Sequence, residues 1–230
     1  MTIEERLRAV YDKIECATER AGREKGSVDL VCVTKTVPFE RMKPALDVGV
    51  KIIGESKTTE LIEKSGLVAP YGVEKHFIGH LQSNKAKQII NEVDLLHSLD
   101  RWSLAEALQK KLENGDSTLD VLIQVNVSKE KSKGGVFVEE IHDFVEEMRN
   151  LKLLKIKGLM TMAPYADNPE NVRYVFRELK ELSEKLKLKN YEWAEFEQLS
   201  MGMSNDYEIA IEEGATLVRV GSAIFGKRNY

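Results

Sequence analysis

The chain has 230 residues, of which 42% are hydrophobic and 31% are charged, with a formal net charge of -4. This composition predicts a globular protein with a full apolar core. The small negative charge argues against nucleic acid or an anionic membrane as a partner. No segment approaches the roughly 18 apolar residues that cross a membrane, and residues 1–6 show no start of a secretory signal. The two cysteines, Cys16 and Cys32, fit a reduced compartment, so we expect a cytoplasmic protein.

An amphipathic helix is predicted over residues 2–24, because apolar residues such as Ile3, Leu7, Val10 and Ile14 recur at spacings of three and four. Eight short apolar runs then alternate with helical segments. The predicted strands cover 29–34, 50–54, 75–79, 95–98, 119–127, 154–159, 196–200 and 216–220. The predicted helices between them cover 38–47, 58–64, 84–91, 102–113, 138–150, 170–187 and 205–213.

This alternation predicts an α/β protein, a single (β/α)8 TIM-type barrel with an extra N-terminal helix, formed as one domain by residues 1–230. The alternative is an open, doubly wound sheet. Such sheets usually have fewer strands in this length and a glycine-rich turn after the first strand. Here the first strand is followed by Lys35-Thr-Val-Pro38, so the dinucleotide-binding motif is missing.

One flexible stretch stands out, the charged loop 128–135 after the fifth predicted strand. A solvated turn is the simpler interpretation, and a lid over the barrel is the alternative. A second stretch, His76-Phe-Ile-Gly-His80, has two histidines four residues apart. It lacks the glutamate of a helical zinc motif and lies on a predicted strand, so we predict no metal site.

Two turns rich in glycine and serine follow the seventh and eighth predicted strands, within 199–206 and 218–226. In barrels of this kind, the loops after these two strands usually form the phosphate site. The first turn opens a helix, with Ser204 or Asn205 as the expected N-cap and with Asn205 and Glu208 at capping-box spacing. Free N–H groups at such a turn attract anions. We therefore predict a phosphate-binding cup that includes Ser204 and Ser222.

Lys35 directly follows the first strand, which barrel closure places beside the eighth. It is either a rim charge or an inward amine that can attack an aldehyde. An amine beside a phosphate cup suggests pyridoxal phosphate, with phosphosugar binding as the competing interpretation. Arg219 has the same parity as Leu217 and Gly221, so it points into the barrel mouth or forms a structural ion pair. Against a pyridine nitrogen it would keep the ring unprotonated.

The longest motifs of the chain are Val33-Thr-Lys-Thr36, Gly54-Glu55, His76-Phe-Ile-Gly-His-Leu-Gln-Ser-Asn-Lys85, Gly158-Leu-Met160, Leu199-Ser-Met-Gly-Met-Ser204 with Asp206, and Val218-Arg-Val-Gly-Ser-Ala-Ile-Phe-Gly226. Together they closely resemble the pyridoxal phosphate homeostasis protein family, over nearly the whole chain. The resemblance implies a barrel related to the N-terminal domain of alanine racemase and to the fold type III decarboxylases.

The resemblance also implies that pyridoxal 5′-phosphate is bound to Lys35 as an internal aldimine, with Arg219 facing the pyridine nitrogen. The implied phosphate contacts come from Ser204, the Met203 backbone, Gly221 and Ser222. Two positions depart from the family pattern: Ser56 stands where members often have Asn, and Lys75 where they often have Trp. Ser56 leaves the contacts on the ring-oxygen side of the cofactor open.

Two functions compete at this site. The first is a non-enzymatic carrier that stores pyridoxal phosphate, limits free aldehyde and delivers the cofactor to apo enzymes. The second is an amino-acid racemase, which needs a base on each face of the substrate. Lys35 would be one, but the β-domain that brings the second Tyr in related racemases is expected to be absent, since the sequence stops at Tyr230. That absence favours the carrier, as a monomer.

Tyr165 is the remaining tyrosine near the predicted barrel mouth and a weak candidate for the second base. A phosphosugar enzyme is a third and weaker possibility. It needs a pair of carboxylates at the mouth, for which Glu55 is the one candidate.

Overall fold

Eight parallel strands close into a barrel that helices surround in the computed structural model, which describes residues 1–115, 117–130 and 134–226. The strands are β1 Asp29–Val33, β2 Ile52–Glu55, β3 Glu74–Phe77, β4 Leu95–Leu99, β5 Leu119–Asn126, β6 Val136–Phe137, β7 Leu154–Met160, β8 Ala194–Met203 and β9 Leu217–Val220. The helices are α1 Ile3–Arg20, α2 Phe39–Asp47, α3 Thr58–Val68, α4 Ala86–Ile89, α5 Trp102–Leu112, α6 Ile141–Glu147, α7 Arg173–Lys187, α8 Tyr207–Glu212 and α9 Ser222–Phe225.

The pairing of the strands closes the sheet on itself. The strand order is β4-β3-β2-β1-β9-β8-β7-β5, and β4 also pairs with β5 to complete the ring. All the pairings are parallel, which requires a crossover between successive strands. The predicted (β/α)8 barrel is thus confirmed, and the open doubly wound sheet is wrong.

Apolar side chains form two separate cores, as expected for strands that are buried on both faces. The larger core lies between the strands and the surrounding helices, with β1 residues Leu30 and Cys32 among its members. The smaller core fills the inside of the barrel. Its buried members come from six strands: Val31, Ile52, Leu95, Leu122, Met160 and Leu217. Alternate residues of one strand therefore serve different cores, and Leu217 marks the inward-facing parity of β9.

Helix α1 starts one residue later and ends four residues earlier than predicted. Thr2 caps its first turn, and Thr2 with Glu5 forms a capping box. The helix stops at Arg20 because Gly22 follows with a φ of 64°, in the left-handed region that glycine tolerates best. The helix packs against α8 and α9, so it supports the elements that follow the last two strands.

The loop 128–135 lies only partly within the described chain, because residues 131–133 fall outside it. After it comes β6, a two-residue strand that the sequence reading missed and that pairs with the end of β5. Gly134 O accepts a hydrogen bond from Gln124 Nε2 at 2.6 Å, which ties the end of this loop to the barrel. None of the helices in the described residues is long and apolar enough to span a bilayer.

Candidate functional site

The carboxyl ends of β1 and β9 lie side by side. Val31 pairs with Arg219 and Cys32 pairs with Val220, which brings Val33 next to Gly221. Lys35 follows two residues later in the turn after β1, and it is half-buried. This register confirms the prediction that the strand before Lys35 lies beside the last strand of the barrel.

A hydroxyl group after β8 connects the segments that follow β8 and β9 by hydrogen bonds. Ser204 Oγ accepts hydrogen bonds from the backbone N–H of Gly221 at 3.3 Å and of Ala223 at 3.4 Å. Two N–H donors therefore converge on a single half-buried oxygen at the start of α9. Convergent backbone donors of this kind suit a phosphate oxygen. Met203 ends β8 and Ser204 follows it, while Gly221 follows β9 and Ser222 begins α9.

Gly221 cannot carry a side chain without moving its neighbours. A Cβ atom there would lie 3.0 Å from the Val33 carbonyl oxygen and 3.1 Å from the Val33 Cβ. The close approach of the two strand ends therefore favours glycine, whose N–H donates to the Ser204 hydroxyl.

The predicted N-cap of the helix after β8 is wrong. Helix α8 begins at Tyr207 with Asp206 as its N-cap, and the cap makes no side-chain hydrogen bond to the helix. Asp206 Oδ1 instead accepts from Met203 N at 2.6 Å, which folds the turn back on β8. Asn205 Nδ2 donates to Ala166 O at 2.9 Å, so the capping box with Glu208 does not form. Ser204 is consequently left facing α9 rather than α8.

Arg219 lies inside the barrel with 4% of its surface exposed. Its Nη1 donates to Ser200 Oγ at 2.5 Å and its Nη2 donates to Thr161 O at 2.9 Å. These bonds use two of the five N–H groups of a guanidinium. Burial lowers the pKa of Arg219 to about 10, against an opposing effect of Asp206. The group thus stays charged at neutral pH, with the Ser200 hydroxyl and the Thr161 carbonyl as hydrogen-bond acceptors and Asp206 as a nearby attractive charge.

Beyond Arg219, a row of hydrogen-bonded side chains crosses the barrel interior. Ser200 Oγ lies 2.8 Å from His97 Nδ1, His97 Nε2 lies 3.0 Å from His76 Nδ1, and His76 Nε2 lies 3.2 Å from Glu74 Oε2. We call Ser200, His97, His76 and Glu74 the histidine chain. His97 and Ser200 fall within the predicted strands 95–98 and 196–200, but sequence patterns did not connect them with Arg219.

A second polar cluster holds the turn that carries Lys35, on the outer side of the strands. Glu55 is fully buried, and its Oε1 accepts from Thr34 Oγ1 at 2.6 Å and from Lys64 Nζ at 2.7 Å. Lys64 Nζ also donates to Thr34 O at 2.8 Å. Glu55 therefore faces α3 rather than the barrel mouth. Its predicted role as a mouth carboxylate of a phosphosugar enzyme is wrong, because the parity of β2 turns it outward beside inward-facing Gly54.

The residue on the other side of Lys35 is held as well. Thr36 has a φ of 62°, an unusual value for a β-branched residue, and its N–H donates to Glu60 Oε2 at 2.5 Å. Lys64 Nζ lies 3.6 Å from Glu60 Oε2. We call Thr34, Glu55, Glu60 and Lys64 the carboxylate clamp. It fixes the backbone immediately before and after Lys35.

The clamp has electrostatic consequences for its two acids. Desolvation raises the pKa of Glu55, although the hydrogen bonds from Lys64 and Thr34 act against it. Desolvation also acts on Glu60, but the hydrogen bond from Thr36 N and the nearby lysines prevail and lower its pKa. Burial therefore disfavours the ionised form of Glu55, whereas Glu60 is stabilised as an anion.

Two further candidates lie outside this arrangement. Tyr165 has 81% of its surface exposed, on the segment after β7. Ser56 follows β2 directly, and its backbone touches Gly79, where a Cβ atom would come within 2.2 Å of Ser56 O. Ser56 thus packs by its main chain against Gly79, just after β3. His80 Nδ1 lies 3.1 Å from Asp100 Oδ2, whereas His76, the other histidine of the 76–80 stretch, contacts His97 and Glu74.

Comparison with known proteins shows which family this chain matches. The family described as alanine racemase, N-terminal domain, matches residues 6–229. A pyridoxal phosphate homeostasis protein of Aquifex aeolicus is 45% identical over 226 residues, which cover 98% of this chain and 98% of that protein.

Solved structures agree with this match. PipY of Synechococcus elongatus, solved with PLP bound, is 28% identical with a TM-score of 0.85, covering 98% of this chain and all of PipY. An alanine racemase of Clostridium difficile shares the fold at 17% identity and a TM-score of 0.67, and this chain covers 57% of it. The resemblance noted from the sequence motifs is confirmed over the full length of the homeostasis protein.

Proposed function

The chain belongs to the family of pyridoxal phosphate homeostasis proteins, and we propose that it reversibly binds pyridoxal 5′-phosphate and keeps that cofactor available in the cell. Residues 1–230 act in this proposal as one cofactor-binding barrel domain in the cytoplasm. The name of the Aquifex relative and the PLP in the PipY structure support the choice of cofactor.

Each end of the cofactor has a matching group in this chain. The N–H groups of Gly221 and Ala223, with the Ser204 hydroxyl, receive the phosphate, and Met203 and Ser222 complete the cup. Arg219 faces the pyridine nitrogen. Lys35 Nζ attacks the aldehyde carbon and forms a carbon–nitrogen double bond with loss of water. Reversal of that step by water releases the cofactor.

The observation that carries the proposal is the buried, charged Arg219 between the Lys35 turn and the Ser204 cup. A guanidinium cannot accept a proton, so a ring nitrogen facing it stays unprotonated. An unprotonated ring withdraws electrons weakly, which suits holding the cofactor better than reacting it with amino acids.

The competing function is an amino-acid racemase. It requires a second base opposite Lys35, and the tyrosine nearest to this role by sequence, Tyr165, is largely exposed. The homeostasis relative is 45% identical and matches this chain over 98% of its own length, whereas the racemase shares the fold at 17% identity. We therefore propose a carrier without enzymatic activity, monomeric, whose partners are apo forms of enzymes that use pyridoxal phosphate.

Absorbance spectroscopy tests the binding step. We expect a band above about 400 nm when the protein is mixed with pyridoxal 5′-phosphate, as for an imine of this cofactor. Lys35→Ala should abolish the band, and Lys43→Ala should retain it, since Lys43 lies on α2 and pairs with Asp47. A colourless wild-type protein would refute cofactor binding, and an unchanged band in Lys35→Ala would refute the role of Lys35.

Transfer to an apo enzyme tests the carrier function. Loaded protein and an equal amount of free cofactor are each mixed with an apo enzyme, in the presence of an aldehyde trap. Activation that resists the trap supports delivery, and identical time courses would contradict it. Exchange of the α-proton of amino acids with deuterated solvent, above the rate with free cofactor, would support the racemase instead.

A further inference from the structure

The hydrogen bonds of the histidine chain pair every donor with an acceptor when they run in one direction, from Arg219 to Glu74. Arg219 Nη1 carries hydrogen and cannot accept, so it donates to Ser200 Oγ. Among the described residues, the other hydrogen-bond partner of Ser200 Oγ is His97 Nδ1, so a hydroxyl that donates there uses its own hydrogen. His97 Nδ1 is thereby an acceptor without a proton.

The same logic extends to the second histidine. With Nδ1 unprotonated, His97 must carry its hydrogen on Nε2, which donates to His76 Nδ1 at 3.0 Å. His76 Nδ1 is then also an acceptor, and His76 Nε2–H donates to Glu74 Oε2 at 3.2 Å. Both rings are consequently neutral and in the Nε2–H form, and the donors all point from the cation toward the carboxylate.

Burial supports this assignment. Ser200 and His97 are fully buried and His76 is 3% exposed, while the side chain of Glu74 is 63% exposed at the start of β3. Desolvation, with further contributions from His76 and Arg219, holds the pKa of His97 well below its usual range. A neutral His97 is therefore expected at neutral pH, as the direction of the hydrogen bonds requires.

We propose that Ser200, His97 and His76 are positioning residues that orient the Arg219 guanidinium toward the cofactor through a one-directional hydrogen-bond chain ending on Glu74. This inference rests on the proposed function for its second half, the effect on the cofactor. The first half, the protonation pattern, concerns the protein alone.

The geometry explains why a chain of this kind serves the cofactor. Arg219 donates hydrogen bonds to two acceptors, Ser200 Oγ and Thr161 O, and these fix the plane of its guanidinium. Neutral His97 supplies an acceptor for the Ser200 hydrogen, and this bond fixes the orientation of the hydroxyl that accepts from Arg219. A buried hydroxyl that loses such an acceptor is costly and reorients. His97 therefore acts on the cofactor through Ser200 and Arg219, without touching it.

Nuclear magnetic resonance tests the protonation pattern in the protein without cofactor. A long-range 1H–15N spectrum at neutral pH resolves the two nitrogens of each of the four histidines. His80→Gln and His142→Gln assign the two histidines outside the chain. We expect His97 and His76 each to have a protonated Nε2 and an unprotonated Nδ1. A proton on Nδ1 of His97 would overturn the proposal.

Three variants test the effect on the cofactor. His97→Leu removes the acceptor, and Ser200→Ala removes one oxygen atom. His97→Gln keeps an acceptor and a donor. We expect His97→Leu and Ser200→Ala to weaken binding of pyridoxal 5′-phosphate by about tenfold and to shift the absorbance maximum of the bound cofactor. His97→Gln should stay within about twofold of wild type.

Unchanged affinity and absorbance in both His97→Leu and Ser200→Ala would overturn the positioning role. Thermal unfolding of each variant, with His80→Gln as a surface control, identifies any variant that fails to fold. If His97→Leu does not fold, the result with Ser200→Ala decides the test. If the wild-type protein does not bind the cofactor at all, the proposed function fails. The nuclear magnetic resonance result then still decides the direction of the histidine chain.

Discussion

The histidine chain and the carboxylate clamp are both buried and both flank the candidate site, yet they are built from different chemistry. The histidine chain lies inside the barrel, and desolvation holds the pKa of its central residue, His97, well below the usual range. The clamp lies outside the strands and brings the charged Lys64 and Glu55 within 2.7 Å of each other. One acts on a side chain, that of Arg219, and the other acts on the backbone around Lys35.

This difference follows from what each cluster has to hold. A guanidinium is already charged, so neutral acceptors suffice to orient it without a second buried charge. The turn at Lys35 contains a strained residue, Thr36, and a stronger hold is provided by charge-assisted hydrogen bonds. Removing one partner should therefore cost far more stability in the clamp than in the histidine chain.

Lys64→Met is the substitution with the largest expected effect. It leaves the fully buried Glu55 carboxylate with the Thr34 hydroxyl as its remaining hydrogen-bond donor among the described residues. We expect the free energy of unfolding to fall by about 3–5 kcal/mol, the usual effect of an uncompensated buried charge. Urea denaturation at neutral pH measures it.

The matched control is the double variant Lys64→Met with Glu55→Gln, which removes both charges and retains an acceptor for Thr34. It should recover part of the loss. Acidification gives a second check. The pKa of Glu55 is already raised in the folded protein, so protons bind the folded state before the unfolded one as the pH falls. The difference in the free energy of unfolding between Lys64→Met and wild type should narrow toward about pH 5. A difference that stays constant with pH would contradict the role given to the Lys64–Glu55 pair.

The histidine chain should respond to acid with the opposite sign. The pKa of His97 is lowered by burial, so below its ordinary value of 6.5 the unfolded state takes up a proton that the folded state does not. The stability contributed by this residue is present above 6.5 and is lost as the pH falls, by about 1.4 kcal/mol per pH unit. In His97→Gln, the free energy of unfolding should therefore depend less steeply on pH when denaturation is followed between about pH 6.5 and 5. An identical slope in both proteins would contradict a neutral His97.

The barrel could be predicted from the sequence because its eight apolar runs and seven connecting helices repeat in order, and parallel closure then fixes the neighbours. That closure was enough to put Lys35 near the end of the last strand, and residue alternation along that strand gave Arg219 its inward parity. The cap at Ser204 or Asn205 was predicted wrongly because local spacing cannot show that Asp206 bonds to Met203 instead.

The two polar clusters escaped prediction for a related reason. Their members are far apart in sequence: His97 meets Ser200 across 103 positions, and Thr34 meets Glu55 across 21. Pairing of that kind depends on strand register and on side-chain direction, which periodicity alone does not supply. The parity of β2 was the available signal for Glu55, since the inward position of Gly54 turns the next residue outward.

The smallest expected effect is at Thr36, where the clamp meets the Lys35 turn. Thr36→Gly removes the strain of a positive φ and leaves the N–H bond to Glu60 intact, but it loses the hydrogen bond from Thr36 Oγ1 to Lys35 O. These contributions oppose one another, so the free energy of unfolding should change by less than about 1 kcal/mol. Thr36→Val keeps the strain and loses the hydroxyl, so it should be less stable than Thr36→Gly by thermal unfolding. If Thr36→Gly instead costs as much as Lys64→Met, the side chain of Thr36, rather than the charged clamp, holds the Lys35 turn.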